Sequence, residues 1–145
     1  MKRDMRAWSQ ALLQAPVKKP LPILAFPAVQ LMGIPVRQLI GDSDCQARGM
    51  QLVAQRTDAA AAVSLMDLSV EAECFGADIR VSDGEVPTIV GRLVQDEADA
   101  RALAVPPVGS ARSGLYIQAL QKALTLIDDR PVLAGAIGPF SLAAW

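Results

Sequence analysis

The sequence contains no histidine, only two cysteines and few aromatic residues, which make up 4% of the chain. Histidine is the commonest general base and the commonest metal ligand in proteins, so its absence narrows the chemistry that these residues can perform alone. Cys45 and Cys74 lie in separate segments and match no C-x-x-C spacing. We therefore expect both to be buried free thiols rather than partners in a disulfide.

An excess of one charge and long apolar runs are also missing. Lys and Arg number 14 against 15 for Asp and Glu, which gives a net charge of -1. No basic stripe interleaved with aromatic residues is present, which argues against a nucleic-acid partner. Nowhere do about 18 uncharged apolar residues run together, and the first residues lack the apolar region of a signal peptide. The sequence therefore predicts a cytoplasmic protein without a membrane partner.

Apolar residues are abundant, at 52% of the 145 positions, which is enough for a sizeable core in one domain over residues 1–145. Three short apolar runs predict buried strands, namely residues 22–27, 60–66 and 132–137. The alanines of the second run leave strand and helix open on propensity alone, and its place between two helical patterns favours a strand. We expect the three strands to be adjacent and parallel.

Helical patterns surround these runs. The segment "RDMRAWSQALLQ" spaces its apolar residues as a helix does, and Ser43 with Gln46 fits a capping box at the start of a second helix. Two further helices are predicted in "QDEADARAL" and "GLYIQALQKALTLID", the latter with Tyr116 on its apolar face. The pair Asp83-Gly84 suits a tight hairpin turn outside the sheet. The order of elements predicts an α/β fold with a parallel sheet.

Asp67 closely follows the second apolar run, in the stretch "SLMDLSVEAECFGADI". A buried charge is costly unless it is paired or used, so an acid at the end of a core strand is either a helix cap or a site residue. As a cap it would accept from a backbone N–H two or three residues on. We give the two roles equal weight, and they are not exclusive.

A pair of acids and a glycine-containing segment could each be taken for a functional motif, but structural interpretations fit them better. Glu71 and Glu73 could form a paired-carboxylate acid/base site, but residues two apart on a helix do not face each other, so we expect solvated surface. The segment "VPPVGSARSG" has glycines like those of a phosphate-binding loop but lacks the lysine and the spacing, so we expect a flexible connector.

Two segments resemble the uroporphyrinogen decarboxylase superfamily, which includes the true decarboxylases and corrinoid-dependent methyltransferases such as methylcobalamin:coenzyme M methyltransferase. "MDLSVEAECFGADI" is similar to the family's Asp-containing strand end followed by a small-residue helix, and "GAIGPFSLAA" to its Gly-x-x-Gly-Pro-Phe-Thr-Leu segment. Both match in order and spacing. The resemblance implies a (β/α)₈ TIM barrel, of which this chain would be the N-terminal part, with a small β-hairpin excursion.

The resemblance also implies site residues. In the decarboxylases the aspartate that matches Asp67 lies at the barrel mouth and contacts the pyrrole nitrogens of the substrate, so Asp67 is the expected catalytic residue. Gly138, Pro139 and Phe140 stand in the matching Gly-Pro-Phe segment and are the expected substrate-binding residues. For these three, the alternative of a tight strand-to-helix turn is favoured by their turn chemistry.

The expected branch of the superfamily depends on the segment Leu24 to Gly33, "LAFPAVQLMG". The decarboxylases have an Arg-rich loop at the corresponding place, which holds the carboxylates of the substrate, whereas this segment has no arginine. An apolar loop is more similar to the methyltransferase branch, whose cavity receives a corrinoid-bound methyl group and a zinc-bound thiol. That branch binds zinc through a His-x-Cys pair and a later cysteine, and neither Cys45 nor Cys74 stands at a matching place. We therefore expect no metal or other cofactor in this chain, and a corrinoid protein as its partner.

Three functions follow in order of preference: a truncated methyltransferase-like member of the family, uroporphyrinogen III decarboxylase of haem biosynthesis, or a non-catalytic assembly fragment. Only about three of eight barrel strands are represented, and "SLAAW" after the last one is too short for a covering helix. We therefore expect no turnover from this chain alone. Its open strand edges also predict self-association or a second chain that completes the barrel.

Overall fold

The computed structural model describes residues 3–143, which form eight helices and four short strands. The helices are α1 (Met5–Gln14), α2 (Ala28–Met32), α3 (Val36–Gly41), α4 (Ser43–Arg56), α5 (Val70–Cys74), α6 (Glu97–Ala102), α7 (Ser113–Leu126) and α8 (Pro139–Ala143). The strands are β1 (Ala62–Val63), β2 (Asp78–Arg80), β3 (Thr88–Val90) and β4 (Val132–Leu133). No helix in this part of the chain has the length and apolar character needed to cross a membrane.

The central pair of strands is formed by β1 and β4. They run parallel, with Ala62 opposite Val132. The predicted strands at 60–66 and 132–137 are therefore neighbours in a parallel sheet, as expected, although the paired part of each is only 2 residues long. Because the carboxyl ends of parallel strands meet at one edge, the residues that follow β1 and β4 lie close together.

The predicted strand at residues 22–27 is wrong. Residues 21–25 have no regular structure, and the chain then turns into α2. Pro20 and Pro22 have no N–H to donate to a strand ladder, which disfavours a paired strand at this place. One backbone hydrogen bond ties the segment to the run that leads into β1, with Ala60 N–H donating to Pro20 O at 2.8 Å.

A separate antiparallel pair, β2 and β3, lies outside the central sheet. The connection spans residues 81–87, so Asp83 and Gly84 lie within a longer loop and not in the two-residue turn predicted for them. Gly84 does not have the positive φ that such a turn requires. The loop is instead held against α3, because Val36 N–H donates to Asp83 O at 2.9 Å and Arg37 pairs with the Asp83 side chain.

Helix α4 begins at Ser43, as predicted, but its cap is Asp42. The Asp42 side chain accepts from Cys45 N–H at 2.7 Å, and this bond lowers the pKa of Asp42. Gln46 does not complete a capping box, because its side-chain amide donates to Ile40 O at 3.3 Å. That bond satisfies a buried polar side chain and joins α3 to α4.

Two apolar clusters form the core. The first joins α4, β1 and the C-terminal part of α7, and its buried members are Ala47, Met50, Ala54, Ala62, Ala123 and Ile127. The second joins α2 and α3 to the residues around them and after β1, and its buried members are Ala25, Ala28, Val36, Leu39, Ile40 and Leu65. Alanine supplies four of the six buried members of the first cluster, which lets the helices approach each other and the strand closely.

Gly49→Ala should lower the free energy of unfolding by about 1 kcal/mol or more. A Cβ at Gly49 of α4 would lie 2.7 Å from Ala28 Cβ in α2. Ala28 Cβ cannot shift without its helix, so we expect an overpacking cost of about 2–3 kcal/mol, which exceeds the helix-propensity gain of about 1 kcal/mol. Urea denaturation followed by circular dichroism measures the difference.

The matched control is Gly41→Ala, because nothing lies within 4 Å of a Cβ at that position. This variant should be as stable as the unmodified chain or slightly more so. Equal midpoints for the two variants would contradict the close contact between α2 and α4.

Candidate functional site

A cleft of about 210 Å³ opens at the carboxyl ends of β1 and β4, against α7. Its lining comes from the segment after β1, from α5 and α7, and from the segment after β4: Ser64, Leu65, Met66, Asp67, Leu68, Val70, Glu71, Ser113, Tyr116, Ile117, Leu120, Ala134, Gly135, Ala136 and Ile137. Apolar side chains dominate this lining. Within the described part of the chain, no lysine or arginine contributes to it.

Asp67 is the buried acid of this cleft, and its side chain has no exposed surface. Oδ1 accepts from Ser69 N–H at 3.0 Å and from the Ser69 hydroxyl at 2.6 Å. Oδ2 accepts from the Tyr116 hydroxyl at 2.8 Å and from the Arg112 guanidinium. A carboxylate has about four acceptor positions, so donors from the chain itself saturate Asp67.

The bonding of Asp67 shows the cap role that the sequence left open and adds a structural tie to α7. Ser69 N–H lies two residues on and stands at the start of α5, so one carboxylate oxygen acts as a local cap. The other oxygen ties the end of β1 to α7 and to the loop before it. The cap therefore accounts for only half of the bonding, and a catalytic role for Asp67 stays a prediction.

Arg112 is the cation that pairs with Asp67. Its Nε donates to Glu73 Oε2 at 2.6 Å and its Nη2 donates to Ser69 Oγ at 2.9 Å, in addition to the Nη1 bond to Asp67. The Arg112 side chain is only 13% exposed. Burial works against the charged guanidinium, but the hydrogen bond and charge of Asp67, with the charge of Glu73, outweigh it and raise the pKa of Arg112. Arg112 is therefore held in its charged form with little access to water.

The loop that carries Arg112 is tightly folded. Gly109 has a φ of 88°, and a Cβ at Gly114 would lie 2.9 Å from Gly109 O. Ala111 has a φ of 46°, a left-handed conformation that costs about 1–2 kcal/mol for a residue other than glycine. The segment "VPPVGSARSG" is thus a folded turn rather than the flexible connector expected from its composition, and the bonds of Arg112 hold its end in place.

Tyr116 lies near the start of α7 and joins the same cluster through its hydroxyl. Burial, then the charge of Asp67 and the hydrogen bond to it, raise the pKa of Tyr116. The ring packs against the core cluster that contains α2 and α3. Tyr116 therefore serves both the apolar core and the polar cluster, as buried tyrosines commonly do.

The segment that follows β4 is held by two side chains from the β1 side of the cleft. Ser64 Oγ accepts from Gly135 N–H at 2.8 Å, and Glu71 Oε1 accepts from Ile137 N–H at 3.1 Å. Gly135 passes so close to Met66 that a Cβ there would collide with Met66 Sδ unless the methionine side chain moved.

The expectation of solvated surface is wrong for both acids of α5. Glu71 lines the cleft, whereas Glu73 is 27% exposed at its side chain and binds Arg112. The two carboxylates have different partners, as their spacing of two residues predicts, so they do not form a paired acid/base site.

Gly138 directly precedes α8, and Pro139 and Phe140 are the first two residues of that helix. Leu142 N–H donates to Gly138 O at 2.9 Å, and Phe140 is 90% exposed. Pro139 lines a second groove of about 440 Å³, which shares no lining residue with the first. None of the three lines the Asp67 cleft. Only Gly138 lies in the strand-to-helix connection predicted for the three residues, and a substrate contact stays a prediction.

A metal centre has no counterpart among residues 3–143, where no three His, Cys, Asp or Glu side chains are grouped as a metal ion would require. Cys45 and Cys74 are free thiols, as predicted, but both are half-buried rather than buried. The residues described here therefore do not fit the zinc site of the methyltransferase branch.

Comparisons with known proteins establish the family and the fold. The family model for uroporphyrinogen decarboxylase (URO-D) matches residues 26–145. The chain belongs to the uroporphyrinogen decarboxylase family. A methyltransferase from Methanosarcina mazei has a similar fold over 99% of this chain, with a TM-score of 0.78 at 18% sequence identity, and the chain spans 45% of that protein. None of the curated proteins matches.

Arg112 and Tyr116 are the site residues of this URO-D family chain that sequence patterns do not single out. Tyr116 is the only tyrosine and falls on the apolar face of a predicted helix, where a hydroxyl needs a partner. Arg112 stands in a segment that reads as a connector. Its one signal is indirect, because a buried acid such as Asp67 requires a nearby cation.

The stability of this URO-D family chain should fall as the pH rises above 10, the ordinary pKa of tyrosine. Above that value the unfolded chain loses the proton of its single tyrosine, whereas the folded chain keeps Tyr116 protonated. The stability present below pH 10 is therefore lost progressively as the pH rises towards the folded pKa. Urea denaturation at about pH 9 and about pH 11 measures the loss, with phenolate absorbance recorded in parallel.

Tyr116→Phe is the control for this titration, because it removes the ionisable group while the lysines still titrate. The variant should lose part of the pH dependence and show no phenolate signal. Phenolate absorbance that appears near pH 10 in the folded chain would show that Tyr116 is not held as the structure describes.

Proposed function

We propose that this chain is the N-terminal part of a (β/α)₈ barrel and supplies one side of the ligand cleft of a corrinoid-dependent, methyltransferase-like member of its family. Parallel β1 and β4 each follow a helix, and the cleft lies beyond the carboxyl ends of both strands, where barrel sites are built. The fold similarity to a methyltransferase from Methanosarcina mazei supports this assignment.

The observation that carries the proposal is the lack of a cation in the lining of the cleft within residues 3–143. Uroporphyrinogen is a polycarboxylate, and binding it requires several positive side chains. Arg112 is near the cleft but is committed to Asp67 and Glu73. The segment Leu24 to Gly33, where the decarboxylases have arginines, has none. A ligand that presents a methyl group fits these surroundings better than one that presents carboxylates.

The residues of this chain would position the reacting group and keep water away from it. The apolar lining includes Leu65, Ile117 and Ile137. Such a lining favours an uncharged methyl group over charged, hydrated groups such as carboxylates. Asp67 fixes Arg112 and Tyr116 and so sets the shape of the cleft. A corrinoid protein would supply the methyl group, and no step of this proposal depends on zinc.

Uroporphyrinogen decarboxylase is the second candidate, because Asp67 follows a strand end as the aspartate of the decarboxylases does. To accept pyrrole N–H groups, however, Asp67 would first have to release Tyr116 or Arg112. Losing either bond from a buried carboxylate is costly, so this function is less well supported.

We also propose that the 145-residue chain has no turnover alone and acts in the cytoplasm, where the free thiols of Cys45 and Cys74 are stable. The chain spans 45% of the methyltransferase it is similar to, so further barrel strands must complete the cleft. A second copy or another chain segment would cover exposed apolar side chains such as Ile23, which is 62% exposed.

Methylcobalamin should bind the chain at least about tenfold more tightly than uroporphyrin III, the oxidised analogue of the decarboxylase substrate. The mostly apolar cleft accepts the methyl-bearing face of the corrinoid, whereas it offers no cation to the carboxylates of the porphyrin. Isothermal titration calorimetry with each ligand measures both affinities. Tighter binding of the porphyrin would favour the decarboxylase over the methyltransferase-like function. Absence of methylcobalamin binding would refute the methyltransferase-like function.

A pair of variants on α7 tests whether binding occurs in the cleft. Ile117 lines the cleft, and Ile117→Asp places a charge there that should weaken methylcobalamin binding. Leu124 is on the same helix, is exposed and is not part of the lining, so Leu124→Asp should leave the affinity unchanged. Equal effects of the two variants would place the binding site elsewhere.

A further inference from the structure

Asp67 and Glu71 are the two carboxylates that line the Asp67 cleft, and they differ in whether an oxygen is free to accept a hydrogen bond from a ligand. Asp67 has no exposed side-chain surface, and its two oxygens receive four donors from Ser69, Arg112 and Tyr116. A carboxylate with that many bonds has no further acceptor position. A ligand could reach Asp67 only by displacing one of these bonds.

Glu71 is different. It stands one helical turn beyond Asp67, at the start of α5, is half-buried and lines the same cleft. Its Oε1 accepts from Ile137 N–H at 3.1 Å, and within residues 3–143 no donor is bonded to its Oε2. No buried side-chain oxygen of the described residues lacks a partner, so this second oxygen is open to solvent. Glu71 therefore has one fixed oxygen and one free oxygen.

The fixed oxygen gives the free one a defined position. Ile137 belongs to the segment after β4, which Ser64 also holds through Gly135 N–H at 2.8 Å. Glu71 is thus anchored across the cleft, from α5 to the β4 segment. A side chain held in this way loses little entropy when a ligand binds, which is the usual property of a binding group.

We propose that Glu71, rather than Asp67, is the carboxylate that contacts the ligand in this cleft, and that it selects a ligand group that donates an N–H or O–H. The amide side chains of a corrinoid carry such N–H donors. A porphyrinogen has pyrrole N–H donors as well, but its carboxylates would be repelled by Glu71. The assignment of Asp67 as a positioning residue follows directly. The ligand part of this inference rests on the methyltransferase-like function proposed above.

The first test needs no ligand. The intact chain is treated with a water-soluble carbodiimide and glycinamide, and the modified carboxyl groups are mapped by mass spectrometry. Glu71 should be labelled in the folded chain at least about tenfold faster than Asp67, which requires local opening before reagent can reach it. In urea the two rates should converge. Equal labelling of Asp67 and Glu71 in the folded chain, or protection of Glu71, would overturn the proposal.

The second test compares Glu71→Gln with Glu97→Gln in methylcobalamin titrations. Glutamine keeps an oxygen for Ile137 N–H but removes the charge, so a merely structural role would leave the affinity unchanged. We expect Glu71→Gln to weaken methylcobalamin binding about tenfold and to leave the stability of the fold unchanged. Glu97 lies on α6, is exposed and pairs with Arg101, so its variant should bind as the unmodified chain does.

The outcomes separate the two proposals. If the unmodified chain binds methylcobalamin and Glu71→Gln binds it equally well, Glu71 is not the contacting residue and the proposed function stands. If the unmodified chain does not bind methylcobalamin, the corrinoid assignment fails, and the labelling rates still decide whether Glu71 or Asp67 is the accessible carboxylate. Methylcobalamin that slows the labelling of Glu71 and not that of Glu97 would support both.

Discussion

The structure depends most on the burial of the Asp67 carboxylate, because a charge removed from water must be paired. Asp67 has no exposed side-chain surface, and Arg112, Tyr116 and Ser69 supply its donors. Breaking a buried ion pair by removing one partner costs about 3–5 kcal/mol, more than most single contacts contribute. The cluster joins the end of β1 to α5 and α7, and it fixes the elements that line the cleft.

The same pairing determines the chemistry of the cleft. Arg112 is brought in by a turn in which Ala111 has a φ of 46°, an unfavourable conformation that its neighbours must hold. Once Arg112 is bound to Asp67 and Glu73, its charge is no longer available for a carboxylate ligand. The Tyr116 hydroxyl is likewise bound to Asp67. The cleft is left with apolar walls and with Glu71 as an acid that has an unbonded oxygen, which favours a neutral ligand that donates hydrogen bonds.

Sequence patterns predict those parts of the fold that depend on local chemistry. Apolar periodicity locates α4 and α7, and short apolar runs between helices predict the parallel pair of β1 and β4. The prediction at residues 22–27 fails because prolines prevent a ladder that the apolar character would otherwise favour. The cap of α4 is displaced by one residue, from Ser43 to Asp42, since adjacent polar residues compete for the same role.

The site is only partly predictable, because its partners come from distant positions. Asp67 is marked by its place after an apolar run, but Arg112 is 45 residues away and stands in a segment with the composition of a connector. Glu71 has the spacing of a surface acid, and its bond to Ile137 N–H depends on the pairing of β1 with β4. Such contacts follow from tertiary packing and leave no periodic signal in the sequence.

The central claim is that Asp67 and Arg112 stabilise the fold as one unit, and a double-mutant cycle tests it most directly. Asp67→Asn, Arg112→Met and the double variant are compared with the unmodified chain by urea denaturation. A structure organised by this pair predicts a coupling energy of at least about 1.5 kcal/mol, with each single variant strongly destabilised. Changes that add to within about 0.5 kcal/mol would contradict the account, because they would mean that the two residues act independently.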